Sequence, residues 1–488
     1  MAPGGNSLFM GQWKRLFNEP PGVPMVDWVC TIPNDGIIRY LDIFNSEAIL
    51  PTSEAALAEI LAAKSDEFVK PRAMTKAVKS FFGSGLTFAE GREHKIQRKS
   101  LMPAFSFRHI KDLYPSFWAK SCEFVDIITT EVLTHPEPAG VAGKSGSQPS
   151  SVVDISSWLS RATLDILGDV GLGHNFEAMS NEKSSLLVAY SKIFAPSAQT
   201  QILVAMNLFF PRWVVRNIPL KRNRELYDAA VVIRDNCRSI IKKRRMEMGE
   251  MKNTNVDIFS AIQSSGADDE GLVEQLVGIL AAGHETPATA VFWAVCLLAK
   301  HPDIQNRLRA DIRSHLPPPQ TVYGTTALRN PPIQIDRIPY LQAVCNEVLR
   351  LCPPFPIGWR EVAGHGTTLL GQPLPKGTRV MVVPWAINRD PARWGPDAGT
   401  FDPERWMGPG RAGSGGASSN FAFMTFFHGP RSCIAENFAR TEIACLLAVL
   451  VGRFEMELEH PEKELAARRG LTSRPMGVGV RMRLVDGW

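Results

Sequence analysis

The sequence predicts a mainly α-helical protein with a minor β component, and three observations lead there. Leu272, Leu276, Ile279, Leu280, Ala290, Val291, Trp293 and Ala294 recur at helical spacing among few charges, which predicts a long buried helix from about Asp269 to Leu298. From Ile434 a second pattern runs through Phe438-Ala439-Arg440 to Ile443-Ala444-Cys445-Leu446-Leu447, apolar on nearly every side and therefore buried. Period-two alternation is confined to short runs such as Ile37-Ile38-Arg39-Tyr40 and Arg379-Val380-Met381-Val382-Val383.

The 488 residues suit two or three average domains or one large helical domain, and the 44% hydrophobic content is that of an ordinary globular chain. A net charge of +5 is too small to point to nucleic acid without a concentrated patch. Eight cysteines stand without framework spacing, which suits a reducing compartment. No repeat is visible. The opening Met1-Ala2-Pro3-Gly4-Gly5 leads through Leu8-Phe9-Met10 to charged Lys14-Arg15, which is neither a signal peptide nor a spanning helix.

In chain order, Pro20-Pro21-Gly22 and Asn34-Asp35-Gly36 punctuate the first β-like runs. Ser53 reads as the N-cap of a helix over Glu54 to Lys64, with Leu57, Ile60 and Leu61 on its apolar face. Arg92, Lys95, Arg98 and Lys99 form a basic cluster, by default a solvated helical face, with His94 and Arg98 four apart on one side. Thr134 to Ser151 is Pro-, Gly- and Ser-rich and reads as a mobile surface loop rather than a domain boundary. The uncharged run from Ile193 to Pro211 is too broken by polar residues to span a bilayer.

Inside the long helix stands Ala281-Ala282-Gly283-His284-Glu285-Thr286-Pro287. Gly and Pro within a helix cost about 1 and about 3 kcal/mol against Ala. Pro287 cannot donate to the Gly283 carbonyl, so a kink or opening is expected. Thr286 can bond back to the Ala282 carbonyl, leaving a groove lined by a hydroxyl with a carboxylate beside it. Tyr340 to Arg350 reads as an amphipathic helix ended by Pro353-Pro354, with Glu347 and Arg350 sharing a face; on so apolar a helix the pair is expected to be buried. After the Gly- and Ser-rich loop from Met407 to Asn420, Phe427 to Cys433 reads as an irregular loop punctuated by Gly429 and Pro430. Cys433 then sits at the mouth of a buried helix, where partly positive amides and Arg431 favour thiolate over thiol. A thiolate there is a nucleophile or a soft metal ligand, and a packed core thiol is the plain alternative. No second Cys or His stands at zinc spacing.

Phe426, Gly429, Arg431 and Cys433 resemble the haem-binding signature F-x-x-G-x-R-x-C-x-G of the cytochrome P450 family, with Ala435 in place of the commoner Gly. Four further motifs follow the family's order. His94 and Arg98 stand where it has W-x-x-x-R, His replacing Trp. Ala282, Gly283, His284, Glu285 and Thr286 match A-G-x-[DE]-T. Glu347 and Arg350 match E-x-x-R, and Arg405 in Phe401-Asp402-Pro403-Glu404-Arg405-Trp406 matches the P-E-R-F-like motif, Trp replacing Phe.

The resemblance implies a single cytochrome P450 domain over 1–488, with a small β-rich N-terminal lobe built from about 1–70 and 355–400. It implies haem b bound through Cys433 as the iron ligand, with His94, Arg98, Arg360 and Arg431 on the propionates and Phe426, Ala282 and Gly283 against the ring. Thr286 and Glu285 would organise water and deliver protons during dioxygen activation, while Glu347, Arg350 and Arg405 hold the haem-side core. Phe81, Phe82, Met206, Phe209, Ile279, Ala282, Ile357 and Met476 would line the substrate pocket. The implied reaction is monooxygenation of a lipophilic small molecule of secondary-metabolite type, using O2 and electrons from NADPH through NADPH–cytochrome P450 reductase. Arg92, Lys95 and Lys99 would face outward as a dock for that partner. The likeness is to fungal members of the microsomal branch, which implies a monomer at the cytoplasmic face of the endoplasmic reticulum membrane, without the usual anchor in this chain. The alternatives are a reductase-independent isomerase, dehydratase or peroxygenase on the same haem site, and a haem-thiolate binding protein without turnover.

Overall fold

The computed structural model describes residues 4, 10–136, 149–181, 183–195, 197–319 except 251–256, 334–468 and 470–488, with the side chains of 43, 208, 209, 212 and 248–250 left out. A five-stranded sheet gathers strands from two distant parts of the chain, in the order Ile37–Leu41, Glu47–Pro51, Arg379–Val382, Gly358–Val362, Phe68–Val69. One pairing is parallel, Glu47–Pro51 with Arg379–Val382; the others are antiparallel. A second, three-stranded sheet joins Ser150–Val153, Val480–Leu484 and Phe454–Leu458. Residues 137–148 of the expected surface loop lie outside the described residues, and its end, Ser150–Val153, is a strand rather than loop.

Helices make up most of the rest. Ser53 caps Glu54–Ala58 by accepting from the Ala56 N–H at 3.2 Å, as its residue type suggests. A π-helical turn, Glu59–Ala63, continues that helix and aims the Leu61 carbonyl toward the cysteine loop.

The centre of the molecule is the helix Asp269–Lys300, capped by Asp268, whose carboxylate accepts from the Gly271 N–H at 2.9 Å. Ile155–Ile166, Lys221–Glu250, Pro339–Leu351 and Glu436–Arg453 all pack against it. The expected break at Pro287 is absent: the helix runs on to Lys300. Pro287 itself is buried within the continuous helix. On the preceding turn Thr163 donates its hydroxyl to the His284 carbonyl at 2.8 Å.

Candidate active site

The loop before the final long helix is shaped by close backbone approaches. Gly429 has φ +76°, and a Cβ there would lie 2.0 Å from the Leu61 carbonyl oxygen. Phe427 is also left-handed, at φ 56°, and its ring covers Gly358, where a Cβ would meet it at 2.5 Å. The Cys433 N–H closes the loop on the Phe426 carbonyl at 2.8 Å. The helix begins at Glu436, not at Ile434, so Cys433 precedes it rather than standing in its first turn.

The Cys433 side chain carries accessible surface, yet protein surrounds it on all sides, as it does a group on a cavity wall. That enclosure pushes its thiol up to about 11, outweighing the Ala435 N–H and the cations Arg98 and Arg440 that favour the thiolate. The expectation of a free thiolate is therefore corrected: desolvation wins, and a metal that displaces the proton is what would bring the sulfur to its charged form. Nor does Arg431 serve the sulfur. Its guanidinium turns away to the Ser65 carbonyl at 2.6 Å and to Glu90. Arg98 takes the place near sulfur, donating to the Ser432 carbonyl at 2.8 Å and its hydroxyl at 3.2 Å.

A second wall is legible in the burial of the central helix. Between Leu272 and Val291 it is buried except at Glu274, Ile279, Ala282, Gly283 and Thr286. The last four are spaced three, four and seven from the first, so they form one accessible stripe on an otherwise enclosed helix. Ala282 is outright exposed, which a methyl group in a core helix is not unless it faces open space. Thr286 donates to the Ala282 carbonyl at 2.8 Å, the bond expected from its position. Glu285, one residue off the stripe, is buried and tied to the C-terminal tail, accepting from the Thr472 hydroxyl at 3.2 Å with the Arg474 guanidinium at 3.5 Å.

The third part is a cluster of cations. Lys70, Arg360 and Arg431 gather around the half-buried carboxylate of Glu90, with the His94 ring beside them, Arg98 next to that ring, and Asp66 at the exposed edge. Desolvation and the neighbouring cations Lys70, Arg431 and Arg98 hold His94 down to about 4, so the ring is neutral at physiological pH. Desolvation brings Lys70 down to about 8 and Arg360 to about 10. One carboxylate cannot neutralise this many enclosed cations, and buried charge requires a partner. Two further carboxylates, the number haem carries, fit that surplus. Lys70 and Glu90 were not foreseen; the only trace of Lys70 in the sequence is a charge directly after the apolar pair Phe68-Val69. Arg92, Lys95 and Lys99 are exposed on the opposite face of the same helix.

Behind the cysteine loop, Glu347 and Arg350 form a fully buried bidentate pair, at 2.7 and 2.8 Å. Arg350 also donates to the carbonyls of Asn388, Ala398 and Thr400, and Arg405 approaches Glu347 at 3.7 Å. Asn388 carries the frame to the loop, accepting from the Met424 N–H at 2.7 Å. Of the expected pocket residues, Phe82, Met206 and Ile357 are half-buried, and Phe82 packs on Phe194, which in turn meets His284. Phe81 is buried against Tyr227, and Met476 is 57% exposed on the tail. The side chain of Phe209 lies outside the described residues.

An accessible but enclosed cysteine, a cation cluster short of carboxylates and a helix open along one stripe fit a helical protein that binds a carboxylate-bearing metal cofactor. Residues 38–480 match the Cytochrome P450 family, and the chain belongs to it. It is 42% identical to cytochrome P450 monooxygenase sphH of Aspergillus fumigatus, over all of this chain and 88% of that protein. It is 39% identical to cytochrome P450 monooxygenase FUM15 of Gibberella moniliformis, over 96% and 85%, and 38% identical to cytochrome P450 monooxygenase ALT8 of Alternaria alternata, over 97% and 87%. The chain is accordingly a haem-dependent monooxygenase that oxidises a small molecule.

Proposed function

We propose that this chain hydroxylates a lipophilic secondary metabolite with O2 and electrons drawn from NADPH through cytochrome P450 reductase. The observation that carries the reading is Cys433, an accessible sulfur enclosed by protein beside a cluster of cations short of anions. Haem held there supplies dioxygen activation and the oxidation of an unactivated C–H bond.

The chain's own residues do the rest. Cys433 supplies the iron ligand, and its high thiol pKa makes metal binding and proton release a single linked event. Arg98, Arg360, Arg431, Lys70 and neutral His94 would hold the carboxylates of the macrocycle, the cations by charge-assisted bonds and the ring by its N–H. Phe426 and the open surface of Ala282 and Gly283 would pack against the macrocycle. Thr286 keeps its proton parked on the Ala282 carbonyl and can turn it to a guest in the groove. Glu285 restores that proton. Ile279, Ala282, Ile357, Phe82 and Met206 would give an apolar bed that excludes water, with Phe81 and Met476 at its margins.

Exposed Arg92, Lys95 and Lys99 fit an acidic reductase surface. Among the described residues no helix is long and apolar enough to cross a membrane. Exposed Ile202, Phe210 and Trp213 instead suit a monomer resting against the endoplasmic reticulum membrane. The test is expression with ample porphyrin supply, a carbon monoxide difference spectrum of the ferrous protein, and turnover of a lipophile library with NADPH and reductase. A red-displaced Soret band with an oxygenated product supports the reading. A band at the position of a histidine-ligated haem, or turnover that needs no reductase, overturns it.

A further inference from the structure

Glu285 adjoins the open stripe in sequence but turns into the protein, where its partners come from the C-terminal tail. The chain after the last long helix folds back as a short hairpin: the Arg468 N–H donates to the Arg474 carbonyl at 2.6 Å, the Met476 N–H to the Ala466 carbonyl at 3.0 Å, and Ala467 bridges Pro475. This hairpin is pinned in the core. The Ser473 N–H donates to the Pro354 carbonyl at 2.9 Å, its hydroxyl to the Pro353 carbonyl at 2.6 Å, and the Trp293 indole N–H to the Ser473 carbonyl. Thr472 and Arg474, on either side of the pinned residue, therefore cannot drift.

Both meet Glu285 at the same atom. The Thr472 hydroxyl donates to Oε1 at 3.2 Å, and Arg474 Nη1 stands 3.5 Å from that oxygen. Oε2 accepts from no described residue. Arg474 is itself oriented by the neighbouring helix Ile155–Ile166, donating through Nη2 to the Ser156 carbonyl at 3.0 Å and the Ser160 hydroxyl at 2.7 Å. Arg468, facing the same carboxylate from the other end of the hairpin, is anchored on the Phe194 carbonyl at 3.4 Å. A buried carboxylate with one oxygen clamped and the other free is a held base, not a merely packed side chain. Thr472 is itself buried, while Leu471 beside it is exposed, so the outer edge of the hairpin meets solvent.

Building on the proposed monooxygenation, we infer that the tail hairpin around Thr472 is the proton inlet of the site, with Thr472 as the relay and Arg474 as the positioning residue that holds the Glu285 side chain in place between transfers. The Thr472 hydroxyl gives its proton to the Glu285 carboxylate and takes one from water on its outer side. Neutral Glu285 releases Arg474, turns its carboxyl so that the protonated oxygen faces Thr286, and passes that proton to the Thr286 hydroxyl, which has given up its own. The carboxylate then returns to Arg474, so each cycle moves one proton inward and leaves the three side chains as they began.

Thr472→Val, Thr472→Ser, Arg474→Met and the double variant Arg474→Met/Glu285→Gln test this. Thr472→Val removes the hydroxyl at nearly constant shape. It is expected to lower product formed per NADPH consumed about tenfold and to raise the solvent deuterium isotope effect on turnover, with Thr472→Ser restoring both. Arg474→Met strands a buried carboxylate and lowers the thermal midpoint of the holoprotein, and Glu285→Gln restores that midpoint without restoring turnover. A Thr472→Val protein with unchanged coupling and isotope effect overturns the inlet while leaving the monooxygenase reading intact. Failure of the unmodified protein to give the red-displaced Soret band or any product defeats that reading itself. If Arg474→Met and its double variant melt at the same temperature, Arg474 does not position Glu285.

Discussion

The indole N–H of Trp406 donates to Oε2 of Glu347 at 2.9 Å, adding a neutral donor to a carboxylate that already holds Arg350. A Phe at this position, as in the family's usual motif, has no such donor. Trp406 meets Trp394 and Phe423 ring to ring as well, so the hydrogen bond is an addition to packing rather than a substitute for it.

Trp406→Phe keeps those ring contacts and removes only the donor. Loss of a hydrogen bond to a buried charged group costs about 1.5–3 kcal/mol. A urea titration followed by circular dichroism should therefore show a lower midpoint at unchanged slope, and an unmoved midpoint would mean that the carboxylate is served by Arg350 and the Asp402 N–H alone.

His94 makes the haem-free protein sensitive to acid. Its pKa of about 4, set by desolvation and by Lys70, Arg431 and Arg98, lies below the ordinary 6.5. Between those values the unfolded chain takes up a proton that the folded chain refuses, so stability is lost as pH falls from 6.5 toward 4. His94→Phe should flatten that limb of the stability curve. Haem binding brings two carboxylates beside the ring and raises its pKa, so proton NMR of His94 should show it titrating higher in the holoprotein.

Gly429→Ala places a methyl against the Leu61 carbonyl, a backbone atom with no room to move, at a φ that costs a non-glycine residue about 1–3 kcal/mol. The loop carrying Cys433 should be displaced while the distant helices fold normally. Purified Gly429→Ala is expected to retain its far-ultraviolet dichroism but to carry far less haem per polypeptide; full occupancy would show that the loop tolerates a shift.

Thr286→Val retains the shape of the stripe and abolishes the hydroxyl that bonds the Ala282 carbonyl. Removal of a positioned proton donor typically lowers rate about 10²-fold or more. NADPH consumption should persist, with reduced oxygen appearing as peroxide instead of product. Undiminished product would assign proton delivery elsewhere.

What the chain reveals as letters and what it withholds divide along a physical line. The Asp269–Lys300 and Glu436–Arg453 helices are written in local periodicity, and the Glu347–Arg350 pair follows from a three-residue spacing on an apolar helix. Thr286 bonding back to Ala282 is a local event too. The continuation of the helix past a buried Pro287 is not local: it happens among packed neighbours. The acidity of Cys433 was misjudged for the same reason, since nearby amides and cations can be read from sequence but enclosure cannot. Glu285 and Thr472 are 187 residues apart, and nothing in either stretch names the other. Lys70 becomes part of the site only when a five-stranded sheet brings residues 68–69 beside 361–362.

The crowd of like charges around Glu90 has a consequence for how the protein matures. Lys70, Arg360 and Arg431 arrive from three separate segments, and until a further anion joins them their mutual repulsion works to part those segments. A newly made polypeptide would thus stay ajar along this seam, and porphyrin would act as the last fastener rather than as cargo dropped into a finished vessel. Cells short of haem should then accumulate chains that proteases cut between residues 70 and 98, ahead of any damage to the long central helix.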